Sequence, residues 1–422
     1  MNTLLSTRSR LIPEEGAGGA RRDLAAHESA HGRLDLSAYP ADLIAEVAAS
    51  GLTGRGGAGF PTARKLSAVA AGTAPVVVAN AAEGEPASSK DKVLISLSPH
   101  LVLDGLQVAC RAVGSSEAYV YVHEGPLVAL VSSMVATRAA AGVDAVRPTV
   151  VVAPARFLSG QESAVVSRIN GGRAVPSAVP PPVYLRGVAR RPTLVQNVET
   201  LAHLALVAGR GASWFRAQGT ADEPGSMLCT LGGAVGHRGV VEVPIGTHLG
   251  DVLDRAGGES QPLQAVLVGG YHGTWVPAEL AMDLPLSLAG LRPAGATPGA
   301  GVVLALPAEA CGLVETARAV GYLADQSARQ CGPCLNGLPS LAQALAGLAR
   351  RDRTVGLTDR VRQLTALVEG RGACHHPDGT TRFVRSALTV FAAEVEAHLS
   401  GRCTATDSTP VLPVPTCEGR TP

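Results

Sequence analysis

Apolar and polar positions follow two alternating periods along the first half of the chain. Pro75-Val76-Val77-Val78-Ala79-Asn80, Ala118-Tyr119-Val120-Tyr121-Val122 and Pro148-Thr149-Val150-Val151-Val152 are short, nearly unbroken apolar runs rich in β-branched residues. That is the pattern of strands buried on both faces. Between and around them, Ala41 to Ser50, Pro99 to Val113 and about Gly125 to Ala141 carry apolar residues at helical spacing. Gly160-Gln161-Glu162-Ser163-Ala164 opens a further helix. Strand and helix alternate, which predicts an α/β fold with a wound parallel sheet.

The pattern changes near residue 220. Met227–Thr230, Gly239–Pro244, Ala265–Gly269 and Gly301–Leu306 read as short strands around one helix, Leu249–Ala256, a small α+β module. Beyond 307 the spacing is helical almost throughout. Residues 1–35 show little periodicity and predict a loosely held arm. The tail after Gly401 is rich in Thr and Pro and predicts disorder that includes Cys403 and Cys417. The expected division is 1–35, 36–220, 221–306, 307–400 and 401–422.

Composition narrows the function classes. The 422 residues are 46% hydrophobic and 17% charged with a net charge of +1, which points to no polyanionic partner. Aromatic content is 3%, too low for base-stacking platforms, so nucleic acid is not expected as a partner. No uninterrupted apolar run reaches about 18 residues, so no membrane span is expected. The first twenty residues lack the apolar core of a signal peptide, and a cytoplasmic protein is expected. Its eight cysteines then read as thiols or metal ligands rather than disulfides.

Candidate chemistry gathers at five places. Gly54-Arg55-Gly56-Gly57-Ala58-Gly59-Phe60 strips side chains from the backbone, so its amides can approach a phosphate or a flat ring, and Lys65 adds a point charge. The same pattern also serves a plain glycine turn, and the helical lead-in departs from a true dinucleotide fingerprint. Asn80, Glu83 and Glu85 lie at the carboxyl end of a predicted strand, where open α/β sheets bind ligands. Glu83 and Glu85 could orient a ligand hydroxyl or an amide, or form a solvated acidic turn; Lys90, Asp91 and Lys92 beside them read as surface charges. Gln161 and Glu162 could face a pocket, or Gln161 could cap its helix. Gln196 and Asn197 are adjacent amides flanked by hydrophobic helix, an expensive arrangement without partners. Finally, Cys331-Gly332-Pro333-Cys334 is a C-x2-C turn with Cys374 following after 39 intervening residues. These three thiols suit an iron–sulfur cluster or zinc, with His375 or His376 able to complete a site, or the pair could be a redox dithiol. Cys110, Cys229 and Cys311 lie in apolar runs and read as buried core thiols.

These motifs in this order resemble the NADH-binding flavoprotein subunit of NADH:quinone oxidoreductase, from about residue 40 to 398. Gly54 to Lys65 is similar to the family's FMN loop, Asn80 to Lys92 to its NADEGEP segment, Gly160 to Ala164 to GEETA, and Pro192 to Leu201 to PTTxNNVETL. The resemblance implies a Rossmann-like FMN-binding domain, a ubiquitin-like β-grasp domain of SLBB type and a C-terminal helical iron–sulfur domain. It implies cofactor binding by Gly54, Arg55, Gly56, Gly57, Gly59, Phe60, Lys65, Asn80, Glu83, Glu85, Gln161, Glu162, Gln196 and Asn197; the glycine loop, Lys65, Asn80, Glu83 and Asn197 stand where the family holds FMN, and Phe60, Glu85 and Glu162 are kept on its nicotinamide side. It implies a 4Fe–4S or 3Fe–4S cluster on Cys331, Cys334 and Cys374, with NAD(H) as a possible third ligand. The implied function is electron transfer between a two-electron donor and a one-electron carrier. The implied partner is a ferredoxin-like or other iron–sulfur subunit, or a membrane reductase that would hold the chain peripherally on the inner face of the membrane.

The sequence departs from the family at telling positions. The first cysteine of the family's C-x2-C-x2-C is Ala328. The lysine and phenylalanine that bracket its Pro-Pro are absent from Val179-Pro180-Pro181-Pro182. The aspartate of NADEGE is Ala82, the first glutamate of GEETA is Gln161, and no aromatic stands among Leu66, Ser67, Ala68 and Val69. A lost stacking ring costs about 0.5–1.5 kcal/mol beyond its burial and a lost charged hydrogen bond about 1.5–3 kcal/mol, so the nicotinamide side is expected to be weak. The alternatives are an ordinary NADH dehydrogenase subunit with an altered pocket, and a non-catalytic scaffold of an electron-transfer assembly.

Overall fold

The computed structural model describes residues 9–13, 23–39, 42–177 and 181–415. Cys417, Val179, Pro180, Ala41 and most of the N-terminal arm lie outside them.

The first layer is a four-stranded parallel sheet in the order β3-β2-β1-β4, with β1 Val76–Ala81, β2 Ala118–His123, β3 Thr149–Ala153 and β4 Thr193–Asn197. Helices α1 Leu24–His31, α2 Leu43–Ser50, α3 Thr62–Ala70, α4 Lys90–Leu97, α5 Pro99–Val113, α6 Pro126–Ala140, α7 Glu162–Ile169, α8 Val198–Arg210 and α9 Ala212–Arg216 surround it. In β1, Val77 and Ala79 enter one apolar core with Leu106, Leu201 and Leu204, while Val76 and Val78 enter a second with Tyr121 and Val165. Both faces are covered, which is why the strand reads as continuous valine. The chain goes from β1 outward to β2 and β3, then returns to the other side of β1 as β4. The reversal leaves a crevice at the carboxyl ends of β1 and β4.

β4 corrects the expectation that Gln196 and Asn197 are flanked by helix on both sides. Thr193–Asn197 is a strand paired with β1, and only the residues after Asn197 are helical. Val195 and Gln196 sit on opposite faces of a two-sided sheet, so no amphipathic alternation marks the strand.

The second sheet has the order β6-β5-β9-β7-β8, from β5 Ser226–Gly233, β6 Gly239–Pro244, β7 Leu263–Val268, β8 Thr274–Pro277 and β9 Val302–Pro307. Central β5 and β9 are parallel and the outer pairs antiparallel, the β-grasp arrangement. On one face Val266, Val268, Val303 and Ala305 pack on α10 Leu249–Asp254. On the other, Leu267, Leu304, Leu306 and Trp275 pack on the helical region. Single-turn helices α11 Ala278–Ala281 and α12 Leu288–Leu291 connect β8 to β9.

That region comprises α13 Gly312–Gln326, α14 Leu338–Ala349, α15 Leu357–Val368, α16 His376–Val390 and α17 Ala392–Leu399. Leu313, Val320, Leu341, Leu345, Val361, Phe383 and Val384 form its core. Each such side chain contributes about 1.5–3 kcal/mol on burial.

The described parts of the two segments expected to be loose are packed against the rest of the chain. In the arm, Leu11 is fully buried and Glu242 Oε2 accepts from Ser9 Oγ at 2.6 Å and from the Arg10 and Leu11 amides at 2.8 Å each. In α1, His27 Nε2 lies 2.8 Å from Asp104 Oδ2. In the tail, Leu412 inserts into the helical core and its amide donates to Glu315 Oε2 at 2.7 Å. The Thr406 and Asp407 amides donate to Glu309 O at 3.0 Å. Thr and Pro content excludes helix here, but buried carboxylates and one leucine are enough to dock an extended strap. Among the described residues no single helix is long and apolar enough to cross a membrane.

Candidate functional site

The glycine loop is a closed hairpin leaving α2. Gly54 N donates to Phe60 O at 2.9 Å and Thr62 N to Leu52 O at 3.0 Å, and α3 begins at once. Gly57 (φ +100°) and Gly59 (φ +61°) hold left-handed conformations that disfavour any side chain. Gly54 and Gly56 do not. A Cβ on Gly56 would approach nothing nearer than Asn197 Cβ at 3.4 Å, and one on Gly54 nothing nearer than Phe60 O at 3.6 Å. The fold tolerates side chains at these two positions.

Beneath the loop lies the switch-point crevice. Asn80 and Asn197 are direct register partners at the carboxyl ends of β1 and β4. Asn80 Nδ2 donates to Gly160 O at 2.7 Å. Asn197 Oδ1 caps α8 by accepting from Glu199 N at 2.9 Å, and its Nδ2 donates to Asp91 Oδ2 at 2.6 Å. From α3, Lys65 Nζ donates to Val195 O at 2.7 Å and pairs with Glu162. Gly56 from the loop and Lys65, Asn80, Glu162 and Asn197 from α3, β1, α7 and β4 thus converge. Gln196, the neighbour of Asn197 in β4, is buried.

Other predicted site residues serve the frame. The Arg55 guanidinium is buried and donates to Ser226 O at 3.2 Å and to Thr53 O and Oγ1 at 3.0 and 2.7 Å; burial lowers its pKa against the pull of Glu199 and Glu223. It pins the loop to β5 and does not face the crevice. Glu83 caps α4, accepting from the Asp91 and Lys92 amides at 3.2 and 3.3 Å and from the Ser88 hydroxyl. Burial, then the Asp91 charge, raises its pKa. Glu85 accepts from Tyr271 N at 2.8 Å and from Ala87 N at 3.2 Å, latching the first domain to the β7–β8 turn. Burial pushes its carboxyl up to about 7. Gln161 takes the capping role, its Oε1 accepting from Ser163 N at 2.8 Å and Ala164 N at 3.2 Å.

Lys90 and Asp91 overturn the surface-charge expectation. Both are buried, and Lys90 Nζ lies 2.7 Å from Asp91 Oδ1 and 2.8 Å from Glu199 Oε2. Burial opposes the Lys90 charge, but Asp91, Glu199 and Glu83 outweigh it and raise its pKa. Glu199 Oε1 in turn accepts from Leu228 N at 2.8 Å. Sequence reading missed this network because its anionic partner lies more than a hundred positions downstream.

Phe60 is 48% exposed with the Arg64 guanidinium 5.8 Å from its ring centre. Leu66 and Val69 point into the core, so α3 offers no second ring.

The three predicted cluster thiols come together at the far end of α13. Cys331 Sγ accepts from the backbone of Ala373 and Cys334 and from the Cys334 thiol; these bonds lower its pKa although burial opposes them. Burial pushes Cys334 up to about 12, helped by Cys331 and by the Cys374 charge. A π-helical turn, Pro333–Gly337, carries Cys334, a distortion common at functional sites. His376 does not complete the set. Its Nε2 faces Leu323 O at 2.9 Å and its Nδ1 faces His272 Nε2 at 3.0 Å, so both ring nitrogens are engaged. His375 is exposed at the N-terminus of α16, and Ala328 offers no ligand atom. The donor set fits three corners of a cluster and not a four-cysteine one. The FMN side fits: an open glycine cradle, two amides and an ammonium stand at one crevice.

Comparison with known proteins agrees with this layout. Residues 47–206 match the Nuo51 FMN-binding domain, and residues 315–398 match the NADH-ubiquinone oxidoreductase-F iron-sulfur binding region. The F subunit of NADH-quinone oxidoreductase from Streptomyces coelicolor is 31% identical over 393 residues, 89% of this chain and 87% of that protein. The NADP-reducing hydrogenase subunit HndC of Solidesulfovibrio fructosivorans is 27% identical, covering 87% of this chain and 78% of its own. The solved NAD+-reducing [NiFe]-hydrogenase in the H2-reduced state superposes with a TM-score of 0.79 at 30% identity over 85% of this chain; the match spans 62% of that hydrogenase chain. The chain belongs to the family of the NADH-quinone oxidoreductase F subunit, flavin- and iron–sulfur-dependent electron-transfer oxidoreductases.

Proposed function

We propose that this chain holds FMN in the β1/β4 crevice and passes electrons between a two-electron donor and a one-electron iron–sulfur carrier, with NADH a weak donor. The observation that carries the flavin placement is the Asn80–Asn197 register pair beneath a loop whose Gly54 and Gly56 the fold itself does not require. FMN, when bound, supplies chemistry that takes electrons in pairs and releases them singly. The chain supplies position and charge. Asn80 and Asn197 offer amide donors and acceptors to a ring edge. Lys65 offers a cation, and the bare amides of the loop offer donors to a phosphate or a carbonyl. The anion network behind Asn197 fixes that side chain.

The weak nicotinamide side rests on what surrounds Phe60. It stands exposed with no partner ring on α3, and Glu85 is committed to the Tyr271 amide. Cys331, Cys334 and Cys374 would hold three corners of an iron–sulfur cluster, the fourth ligand coming from water or another non-cysteine donor. The named relatives are subunits of larger assemblies, which supports a partner subunit carrying iron–sulfur centres, ferredoxin-like or part of a membrane reductase. A membrane reductase in that role would hold the chain peripherally on the cytoplasmic face of the membrane.

Anaerobic stopped-flow mixing of the flavin-loaded chain tests the donor. Dithionite should bleach the flavin fully, while micromolar NADH should bleach it orders of magnitude more slowly than turnover in the family requires. Rapid bleaching by micromolar NADH would establish an ordinary NADH dehydrogenase subunit instead.

A further inference from the structure

Cys311 and Cys403, read from the sequence as a core thiol and a residue of a disordered tail, meet in the structure. Cys311 immediately precedes α13, Glu394 and His398 share one face of α17 at i,i+4, and Cys403 follows four residues after that helix ends. One ligand atom from each lies within 4.8 Å of all the others, and Cys311, Glu394 and His398 are buried. Cys311 Sγ is 3.5 Å from His398 Nε2 and 3.9 Å from Glu394 Oε1, and His398 Nε2 is 2.9 Å from Glu394 Oε1. A tetrahedral zinc ion, with bonds of about 2.0–2.3 Å, holds its ligand atoms roughly 3.3–3.8 Å apart, so small side-chain shifts close the set.

A second observation is independent of spacing. His398 Nδ1 faces the Leu348 carbonyl at 2.9 Å, which only accepts, so Nδ1 carries the ring hydrogen. With Nδ1 turned to a carbonyl, Nε2 is the atom that faces the Glu394 carboxylate, and a cation between them would take both as ligands. A backbone carbonyl on Nδ1 is also the usual outer support of a metal-bound histidine. Glu394 is oriented in the same way by the amide and hydroxyl of Thr404. A cleft lined by Val314, Arg351 and Thr406 reaches Cys311, His398 and Cys403 and gives an ion a way in.

We propose that Cys311, Glu394, His398 and Cys403 form a structural zinc site that fastens the C-terminal strap to the helical domain. Two thiolates, an imidazole and a carboxylate with no open position suit zinc in a structural role. Binding displaces the two thiol protons to solvent, with no redox step. The site is separate from the three cluster thiols. Those follow the other end of α13, 15 residues and roughly 20 Å along the helix.

The test is metal analysis of the full-length chain, purified anaerobically with reductant, using zinc alone and cobalt as a spectroscopic stand-in. About one zinc per chain should remain after dialysis. Cobalt should give the d–d and thiolate charge-transfer bands of a tetrahedral thiolate site. Cys403→Ser and His398→Gln should each lower retained zinc about tenfold or more. A variant with Cys331, Cys334 and Cys374 all changed to Ser should keep it. Cys403 lies in the strap, so C403S should fold, and circular dichroism checks that. Zinc should also slow proteolysis within residues 402–415 in the wild type but not in C403S. The proposal is overturned by failure of the reduced wild type to hold zinc, by zinc that survives C403S, by zinc lost with the cluster thiols, or by a Cys311–Cys403 disulfide in anaerobic peptide maps.

Discussion

The Lys90 ammonium touches two carboxylates, Asp91 at 2.7 Å and Glu199 at 2.8 Å, and Asp91 passes the constraint to Asn197 at 2.6 Å. Removing the cation leaves two buried anions facing each other. Lys90→Met should therefore lower stability by about 3–5 kcal/mol in urea denaturation followed by circular dichroism, and weaken FMN binding through the freed Asn197. An effect under about 1 kcal/mol would mean the network is solvated. Ala328 is a residue-scale test of the cluster. Ala328→Cys restores the missing position, and after anaerobic reconstitution it should raise iron to about four per chain, where the wild type holds less. Iron content identical in the two would show that the wild-type set is already complete, or binds no cluster. Residue type alone hid the Lys90 network, because a KDK run is surface-like unless Glu199 is known to lie beside it. Asn80 was legible as a strand-end residue, but its pairing with Asn197 was not, because nothing in the sequence marks β4 as a strand beside β1.

Among the elements, those with strong periodicity were readable. Pro99–Val113 is α5 to the residue, and β1, β2 and β3 lie within a residue or two of expectation. What failed was short or context-built. β8 has four residues, too few to show a period, and β4 is held by pairing with the distant β1. The docked tail failed for a different reason: its partners, Glu315, Glu394 and the core around Leu412, belong to other helices. Glu85 gives the element-scale prediction, because it latches the flavin domain to the β7–β8 turn. Its carboxyl sits near 4.5 when unfolded and at about 7 when folded, so the folded state binds the extra proton between these values. Stability from this group is full below about pH 4.5 and falls as pH rises through 7, by on the order of 2–3 kcal/mol. Glu85→Gln accepts the same Tyr271 amide without the charge. It should flatten the decline of melting temperature between pH 5 and 7.5 and raise it at pH 8. A wild-type decline that persists in E85Q would move the titration to another group.

At the scale of the whole molecule, three layers share contacts that position the crevice. The first sheet supplies its floor, and the β-grasp sheet anchors the loop through Arg55 to Ser226 O and the floor through Glu199 to Leu228 N. The helical region is tied to the β-grasp sheet where Trp275 Nε1 donates to Thr316 Oγ1 at 3.0 Å. The order of the three layers was legible from motif order, but their mutual bracing was not, since it depends on long-range pairs such as Glu85 with Tyr271. The account stands or falls on FMN lying against the bare stretch at Gly56. The direct measurement is an anaerobic equilibrium titration of the full-length chain with FMN, wild type beside Gly56→Ala, with melting temperatures recorded for both. A methyl at Gly56 meets only Asn197 Cβ at 3.4 Å, so the fold should keep its melting temperature. One FMN should bind per wild-type chain, with a Kd at least about tenfold higher in the variant, about 1.4 kcal/mol or more. Equal FMN affinity in the two proteins, or no FMN binding by the wild type, would contradict it.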